Sequence, residues 1–132
     1  MKVQVCLVMS LILFIPFIFT ATSENGNDEW NKTYGGEGTE RARDLIEVGD
    51  GFLFTGYKKC QNKDFEGWVV KVDKQGLMVW NKTYGGKNED ILHYILPADD
   101  GYLLVGYSLS FGGNTAGFWL ISIDEQGNEY WN

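Results

Sequence analysis

Three acidic residues carry the side chains in this sequence that are best suited to chemistry: Glu40, Glu89 and Asp90. Each stands a few residues after a Gly-Gly pair, and Glu40 aligns with Asp90 when the chain is laid on itself. Two carboxyl groups about 5–9.5 Å apart can cleave a glycosidic bond, and carboxylate oxygens are also ligands that Ca²⁺ prefers. The interpretation we favour is that each acid accepts hydrogen bonds from loop N–H groups, because catalytic pairs normally break repeat symmetry whereas these acids obey it.

His93 and Cys60 are the other residues that could bind a metal or react. His93 is the only histidine, and without a second histidine or a nearby cysteine it cannot build a usual zinc site or a Ser-His-Asp arrangement. Cys60 is the only cysteine beyond the N-terminal segment, so an internal disulfide is excluded there. The sequence therefore predicts no catalytic residue, no cofactor and, apart from the calcium candidates above, no metal site.

Two further kinds of residue are candidates for modification or ligand binding. Asn31 and Asn81 each begin an N-K-T sequon for glycosylation, although N-K-T is also how a strand with outward polar residues would read. Phe65 and Phe111 lie in the loops where the two halves of the chain differ most, and a phenyl ring there could stack on a sugar. Unselected drift of these loops is the alternative.

An internal duplication organises the chain. The letters W-N-K-T-Y-G-G occur at Trp30–Gly36 and again at Trp80–Gly86, and the last two residues, Trp-Asn, begin a third copy. Further matches follow in register, with one inserted residue between Tyr57 and Trp68. All five tryptophans occupy repeat-equivalent positions: Trp30, Trp68, Trp80, Trp119 and Trp131.

Each repeat predicts about four antiparallel strands. The runs DLIEV, GFLFTGY, WVVKV and LMVWNKTY are rich in β-branched and aromatic residues and are bounded by turn residues. The Asp-Gly pairs suit hairpin turns with positive φ, and Asp73–Gly76 and Asp124–Gly127 suit four-residue turns in which the Asp side chain accepts backbone N–H groups. The apolar runs are continuous, which indicates strands buried on both faces. We therefore predict an all-β fold of two four-stranded antiparallel blades of a β-propeller type in an incomplete ring, with a β-sandwich or a β-solenoid as the alternative.

A family resemblance supports this prediction. The pattern D-x-x-G-x-x-x-W resembles the turn-and-tryptophan element of quinoprotein-type propeller repeats, in which the tryptophan docks between adjacent blades; it occurs at Asp73, Gly76 and Trp80, and at Asp124, Gly127 and Trp131. The whole unit is similar to repeats that occur in many copies in secreted and cell-surface proteins of bacteria and archaea, mostly of unassigned function. The copy number differs, since two units and a stub are present where a closed ring needs at least about four blades.

The N-terminal segment predicts export. Lys2, an apolar run and a small-residue exit are typical of a signal peptide over residues 1–23, with an uncleaved membrane anchor as the alternative. Residues 24–79 then form the first repeat, and residues 80–132 form the second repeat with the start of a third. Beyond residue 23 the chain has 10 basic and 18 acidic residues, a net charge of −8, and this acidity argues against nucleic acid as a partner.

Two repeats alone would expose apolar outer faces, and this sets the expected partners. We expect a piece of a longer array or a homo-oligomer, in which the Trp30–Tyr34 strand fills an empty place in a neighbour. The function predicted is that of a non-enzymatic exported or cell-surface protein with a binding or structural role, whose ligand is a glycan or a surface protein. The alternative is a fragment or accessory domain of a secreted carbohydrate-active enzyme. A quinoprotein-like redox domain is disfavoured, because no complete ring is present to hold the cofactor.

Overall fold

The computed structural model describes residues 29–59, 64–113 and 115–132, and over these ranges the chain is all-β with antiparallel pairing, which confirms that part of the prediction. Two four-stranded sheets form, sheet 1 with the order β1-β2-β3-β4 and sheet 2 with the order β5-β6-β7-β8, and neither sheet closes on itself. The strands are β1 Thr39–Val48, β2 Gly51–Lys59, β3 Glu66–Asp73, β4 Met78–Tyr84, β5 Asp90–Ala98, β6 Gly101–Ser108, β7 Gly117–Ile123 and β8 Glu129–Trp131.

The predicted signal peptide and Cys60 lie outside the described residues. Among the residues that are described, no helix is long and apolar enough to cross a bilayer.

Short turns join β1 to β2 and β5 to β6, and only one of their two glycines has the predicted conformation. Gly101 has the predicted positive φ, at 144°, whereas Gly51 does not. At Gly51 a Cβ atom would lie 2.0 Å from the carbonyl oxygen of Val72 on the paired strand. Glycine is needed at this position because the two backbones approach closely, and not because the turn requires positive φ.

One continuous core joins the two sheets, because one face of sheet 1 packs on one face of sheet 2. We call the first of these the front face of sheet 1; its residues in the contact are Ile46, Leu53, Gly67, Val69 and Tyr84. We call the second the back face of sheet 2; its main residues are Leu92, Leu104, Trp119, Ile121 and Ile123. Full burial of a leucine or isoleucine side chain stabilises a fold by about 1.5–3 kcal/mol, so this contact is a main source of stability.

The back face of sheet 1 is covered differently. Trp68, Val70 and Val72 form a second buried cluster there, and Tyr34 of the N-terminal segment packs against it. The segment itself belongs to neither sheet. The segment thus covers part of the back face of sheet 1, while Leu45 on the same face remains exposed.

The front face of sheet 2 remains accessible, and here the sequence prediction is wrong. Burial on both faces holds for β3, where Trp68, Val69 and Val70 are all buried, but β7 alternates between buried and exposed residues. Phe118 and Leu120 point away from sheet 1 and are exposed. The sequence of β7 is apolar on both faces, but among the described residues nothing covers its front face.

The sequence repeat is offset from the sheet. The second W-N-K-T-Y stretch forms most of β4, the last strand of sheet 1, so the boundary between residues 79 and 80 lies inside a strand. The repeat begins on the last strand of one sheet and continues into the next sheet.

Candidate functional site

The W-N-K-T-Y stretch docks on a turn, in the same way in both halves of the chain. The ring of Trp30 lies against Gly76, and the Tyr34 hydroxyl donates a hydrogen bond to the Gly76 carbonyl at 2.8 Å. The Trp30 indole N–H also donates to the Lys74 carbonyl at 3.0 Å. In the second half, Trp80 lies against Gly127, and the Tyr84 hydroxyl donates to the Gly127 carbonyl at 2.8 Å.

The two turns that receive these aromatic rings are held by their aspartates. Asp73 Oδ1 accepts the N–H groups of Gln75 and Leu77 at 2.9 and 2.8 Å. Asp124 Oδ1 accepts the N–H groups of the two equivalent residues at 2.9 and 2.7 Å. Burial would raise the pKa of Asp124, but hydrogen bonds from the turn outweigh it and lower the pKa below its usual range. The ionised carboxylate is therefore the form that holds the turn.

Gly76 and Gly127 close these turns with φ values of 70° and 76°. This left-handed conformation favours glycine. A Cβ atom at Gly127 would also lie 2.9 Å from the Trp80 ring. The repeated Trp, Tyr, Asp and Gly residues thus join sheet 1 to sheet 2 in the second copy and the N-terminal segment to sheet 1 in the first.

The sequons lie on the joint strand and its N-terminal counterpart. Asn31 and Asn81 are both exposed, as are the threonines two residues later. Asn81 also has a structural contact, because its Oδ1 accepts a hydrogen bond from the indole N–H of Trp68 at 3.1 Å.

The acidic candidates lie at the opposite end of the sheets, which we call the loop end: the two glycine corners and the β2–β3 and β6–β7 loops. Glu40 Oε1 accepts the Gly36 N–H at 3.1 Å. Asp90 is fully buried, and its Oδ2 accepts the Gly86 N–H at 2.7 Å. Each acid thus holds the glycine corner before it.

The remaining oxygen of Asp90 is also engaged. Its Oδ1 accepts the Ser108 hydroxyl, and Oδ2 accepts the Ser110 hydroxyl at 2.7 Å. Within the described ranges, no group of three or more His, Cys, Asp or Glu side chains is arranged to hold a metal ion. The structure brings Asp90 together with Ser108 at the end of β6 and with Ser110 in the loop after it, contacts that sequence reasoning missed.

Glu89 forms a separate contact with Tyr107. Its Oε1 accepts the Tyr107 hydroxyl, and this hydrogen bond, with burial, raises the pKa of Tyr107 to about 12. The ring of His93 lies 6.0 Å from that of Tyr107. His93 is therefore placed among aromatic residues on β5.

Phe65 belongs to an aromatic and cationic cluster that sequence reasoning missed. Its ring meets Tyr57 edge-on at 5.0 Å, the Lys59 ammonium lies 5.0 Å from its centroid, and Arg43 lies over Tyr57 at 5.3 Å. The Phe65 carbonyl also accepts the Asp90 N–H at 2.8 Å, which ties the loop to sheet 2. Phe111 is half-exposed, and its ring lies 5.8 Å from that of Trp119.

A groove of about 530 Å³ lies near this cluster, on the back face of sheet 1. Its wall includes the corner Gly35–Gly38, Glu40, Lys58, Trp68 and Asn81. The Lys58 ammonium lies 5.3 Å from the centre of the Trp68 ring. Nothing equivalent to Lys58 is present in the second repeat, where Ser108 stands at this position.

Trp119 differs from its equivalent Trp68 in one respect. Both side chains are buried, but among the described residues the Trp119 indole N–H has no hydrogen-bond partner, whereas the Trp68 N–H donates to Asn81. A buried unsatisfied donor costs about 1–3 kcal/mol.

Comparison of the chain with family models, with curated proteins and with solved structures gives no match. The function must therefore be argued from this molecule's own residues.

Proposed function

We propose that this chain is an exported or cell-surface repeat protein, built on blades of the β-propeller type, with a binding or structural role and no catalytic one. The observation that carries the proposal is that the residues shared by the repeats and the residues that differ between them have different positions in the fold. Those that both repeats share join the sheets and close the turns, whereas the loop end, where the repeats differ, carries the half-buried cations Lys58 and Lys59 and the half-buried ring of Phe65. Specificity in repeat scaffolds is commonly placed in such loops.

The propeller interpretation is supported by the way the sheets stack. Each sheet has four antiparallel strands in sequential order, and the front of one sheet packs on the back of the next. The same tryptophan and tyrosine contacts occur at both joints. Radial repetition of such contacts is how propellers bury the faces of their blades.

The ligand class that fits the loop end is a glycan that carries negative charge. Lys58 and Lys59 place cations beside the aromatic rings of Trp68 and Phe65, although the exported part of the chain is acidic overall. The half-buried Phe65 ring suits the apolar side of a sugar ring, and the Lys58 and Lys59 ammonium groups suit a carboxylate or sulfate on it. The groove beside Trp68 is large enough to hold part of such a chain, since ligand sites usually span about 300–1,000 Å³.

A glycan array with the purified protein, followed by calorimetry on any hit, tests this function. We expect binding to acidic glycans, and Lys58→Ala should weaken it roughly tenfold, the usual effect of losing one charge-assisted hydrogen bond. Lys74→Ala is the matched control, because Lys74 is exposed at the opposite end of sheet 1. Failure to bind any glycan would contradict the ligand class, and release of sugar from the same polysaccharides would contradict the non-enzymatic role.

Export is tested separately. A full-length chain produced in an exporting host should be recovered outside the cytoplasm and begin at Glu24, after the predicted cut. Recovery in the cytoplasm with Met1 in place would contradict it.

A further inference from the structure

We propose that the front face of sheet 2 binds a second copy of this chain, whose Trp30–Gly36 segment pairs with β7 and whose sheet 1 packs on this face. The contact is head to tail, because it joins two different surfaces: the front face of sheet 2 in one copy and the back face of sheet 1 in the next. It lies beside the glycan groove, with which the proposed contact shares Glu40 and Trp68.

The accessible face of sheet 2 has the composition of a buried one. Leu96, Phe118 and Leu120 are 51%, 105% and 40% exposed. Their repeat equivalents on sheet 1 are Ile46, Gly67 and Val69, all of which lie in the contact with sheet 2. Large apolar side chains grouped on an exposed sheet face are typical of an interaction surface.

The matching surface is the back face of sheet 1, which corresponds in sequence to the back face of sheet 2. Leu45 on this face is 56% exposed, whereas its equivalent Ile95 is only 1% exposed because it lies against sheet 1. A second copy that repeated the contact between the sheets would bury Leu45 in the same way.

The two surfaces also fit in size, and this is the strongest argument for a second copy as the partner. Inside the chain, Gly67 lies so close to Leu92 that a Cβ atom would be 2.8 Å from the leucine side chain. In the proposed contact, Phe118 stands at the position equivalent to Gly67, and Ala42 stands at the position equivalent to Leu92. The side chain on the front face is therefore large where Gly67 is small, and the side chain on the back face is small where Leu92 is large. The larger side chain moves to the other surface, and the pair grows from four side-chain carbon atoms to eight, so the contact requires extra space on the side of Ala42.

A cavity is present where the Phe118 ring would go. It has a volume of about 230 Å³ and lies between the N-terminal segment and sheet 1. Its lining includes Tyr34, Ala42, Phe54 and Trp68. By the equivalence above, the phenyl ring of one copy would enter this cavity of the next.

Among the described residues, the edge of β7 is paired over a shorter stretch than the edge of β3. β3 pairs with β4 from Gly67 to Val72, whereas β8 pairs only with Ser122 and Ile123 of β7. The register of β3 with β4 would place Tyr34 of the incoming segment opposite Phe118, and Thr33 opposite Trp119. Tyr34 is also a wall of the Phe118 cavity, so strand pairing and ring insertion require the same arrangement.

The unsatisfied Trp119 N–H points to the same strand. Trp68 donates to Asn81, the asparagine of W-N-K-T-Y. Asn31 of the incoming segment would stand in the equivalent position and accept the Trp119 N–H. Trp30 and Asn31 would take the place of Trp131 and Asn132, which are the same two residue types and are exposed. Trp30 would therefore pair with β7 as Trp131 does, and the Asn-Lys-Thr-Tyr residues that follow it would extend this pairing along β7.

A head-to-tail contact between identical chains forms a ring when its rotation closes. Propellers have about four to eight blades, so rings of about two to four copies are expected.

Sedimentation equilibrium of the purified full chain, over a wide concentration range, tests the proposal. We expect a mass of about two to four chains. Phe118→Asp should weaken the association at least tenfold, about the effect of losing a buried interface aromatic residue. It should not disturb folding, because Phe118 is fully exposed in the single chain. Leu77→Asn is the matched control: Leu77 is an exposed turn residue whose repeat equivalent is Asn128, and its replacement should leave the mass unchanged.

A size swap provides the second arm. Ala42→Leu alone should weaken association because the leucine fills the Phe118 cavity. Combined with Phe118→Gly, it recreates the Gly67 and Leu92 pair, so association should return. A monomer at every concentration would overturn the proposal and would mean that something other than this chain covers the face. Association that Phe118→Asp leaves unchanged, or a double variant no better than Ala42→Leu alone, would overturn it as well.

Discussion

Tyr84 shows at the residue scale how the joint between the sheets is held. Its side chain is buried, its hydroxyl donates to the Gly127 carbonyl at 2.8 Å, and burial raises its pKa well above the usual range. Tyr84→Phe keeps the ring and leaves the carbonyl without its donor, so the free energy of unfolding should fall by about 0.5–1.5 kcal/mol. Denaturant unfolding measures this change.

Tyr130→Phe is the control for that experiment. The Tyr130 hydroxyl lies 3.4 Å from the Asp100 carbonyl and the residue is exposed, so its loss should change stability little. Equal losses in the two variants would show that the Tyr84 hydrogen bond has no special role in the joint.

Tyr107 predicts a dependence of stability on alkaline pH. Its hydrogen bond to Glu89, with burial, raises the pKa from 10.0 to about 12 in the folded chain. The folded state therefore holds this proton more tightly than the unfolded state. The stabilisation is fully present below pH 10 and is lost as the pH rises towards 12.

Tyr107→Phe removes this contribution, so the variant should lose less unfolding free energy than the wild type between these two pH values. Glu89→Gln should bring the ionisation of Tyr107, followed by its ultraviolet absorbance, back towards its ordinary range. Identical pH profiles for the wild type and Tyr107→Phe would contradict the assignment.

At this scale the sequence indicated local contacts and missed distant ones. Asp73 could be assigned to its turn, because the N–H groups that it accepts lie within four residues of it. The serine partners of Asp90 were missed, since Ser108 at the end of β6 and Ser110 in the loop after it are 18 and 20 residues away. Folding brings these residues together.

At the scale of elements, the Asp-x-x-Gly turn and the strand that docks on it form one unit. Gly127→Ala should be destabilising for two reasons: its φ of 76° is left-handed, and the new methyl group would meet the Trp80 ring at 2.9 Å. Gly113 separates the two effects, because it has the same φ and, apart from its chain neighbours, no described residue has an atom within 4 Å of its Cβ position.

We therefore expect Gly113→Ala to cost about 1–2 kcal/mol, the cost of the left-handed backbone alone. Gly127→Ala should cost about 1–3 kcal/mol more, the usual cost of overpacking. The two unfolding free energies measure the difference, and equal values would mean that Trp80 does not press on the turn.

The strands were predictable because runs of β-branched residues bounded by turn residues determine, from nearby sequence alone, where a strand begins and ends. The sheet to which W-N-K-T-Y belongs was not, because both docking and pairing depend on partners from other parts of the chain. Trp80 contacts Gly127 of sheet 2 while its own backbone pairs with Lys71 of sheet 1. A sequence repeat counted from its tryptophan therefore begins in the last strand of one sheet and continues into the next sheet.

At the scale of the whole molecule, the sequence indicated how much surface is apolar but not which face is covered. β3 and β7 have similar apolar sequences, yet only β3 is buried on both faces, because the N-terminal segment and sheet 2 lie on either side of it. The size exchange between Gly67 and Phe118 becomes informative only once Leu92 is seen against Gly67.

The central claim is that W-N-K-T-Y is a structural joint, used twice. The most direct test is a nuclear Overhauser spectrum of the purified protein that reports contacts between tryptophan ring protons and glycine Hα protons. The account predicts a cross-peak from Trp80 to Gly127 and another from Trp30 to Gly76, with both glycine Hα signals shifted upfield by the rings. A spectrum in which Trp80 shows no contact with Gly127 would contradict it.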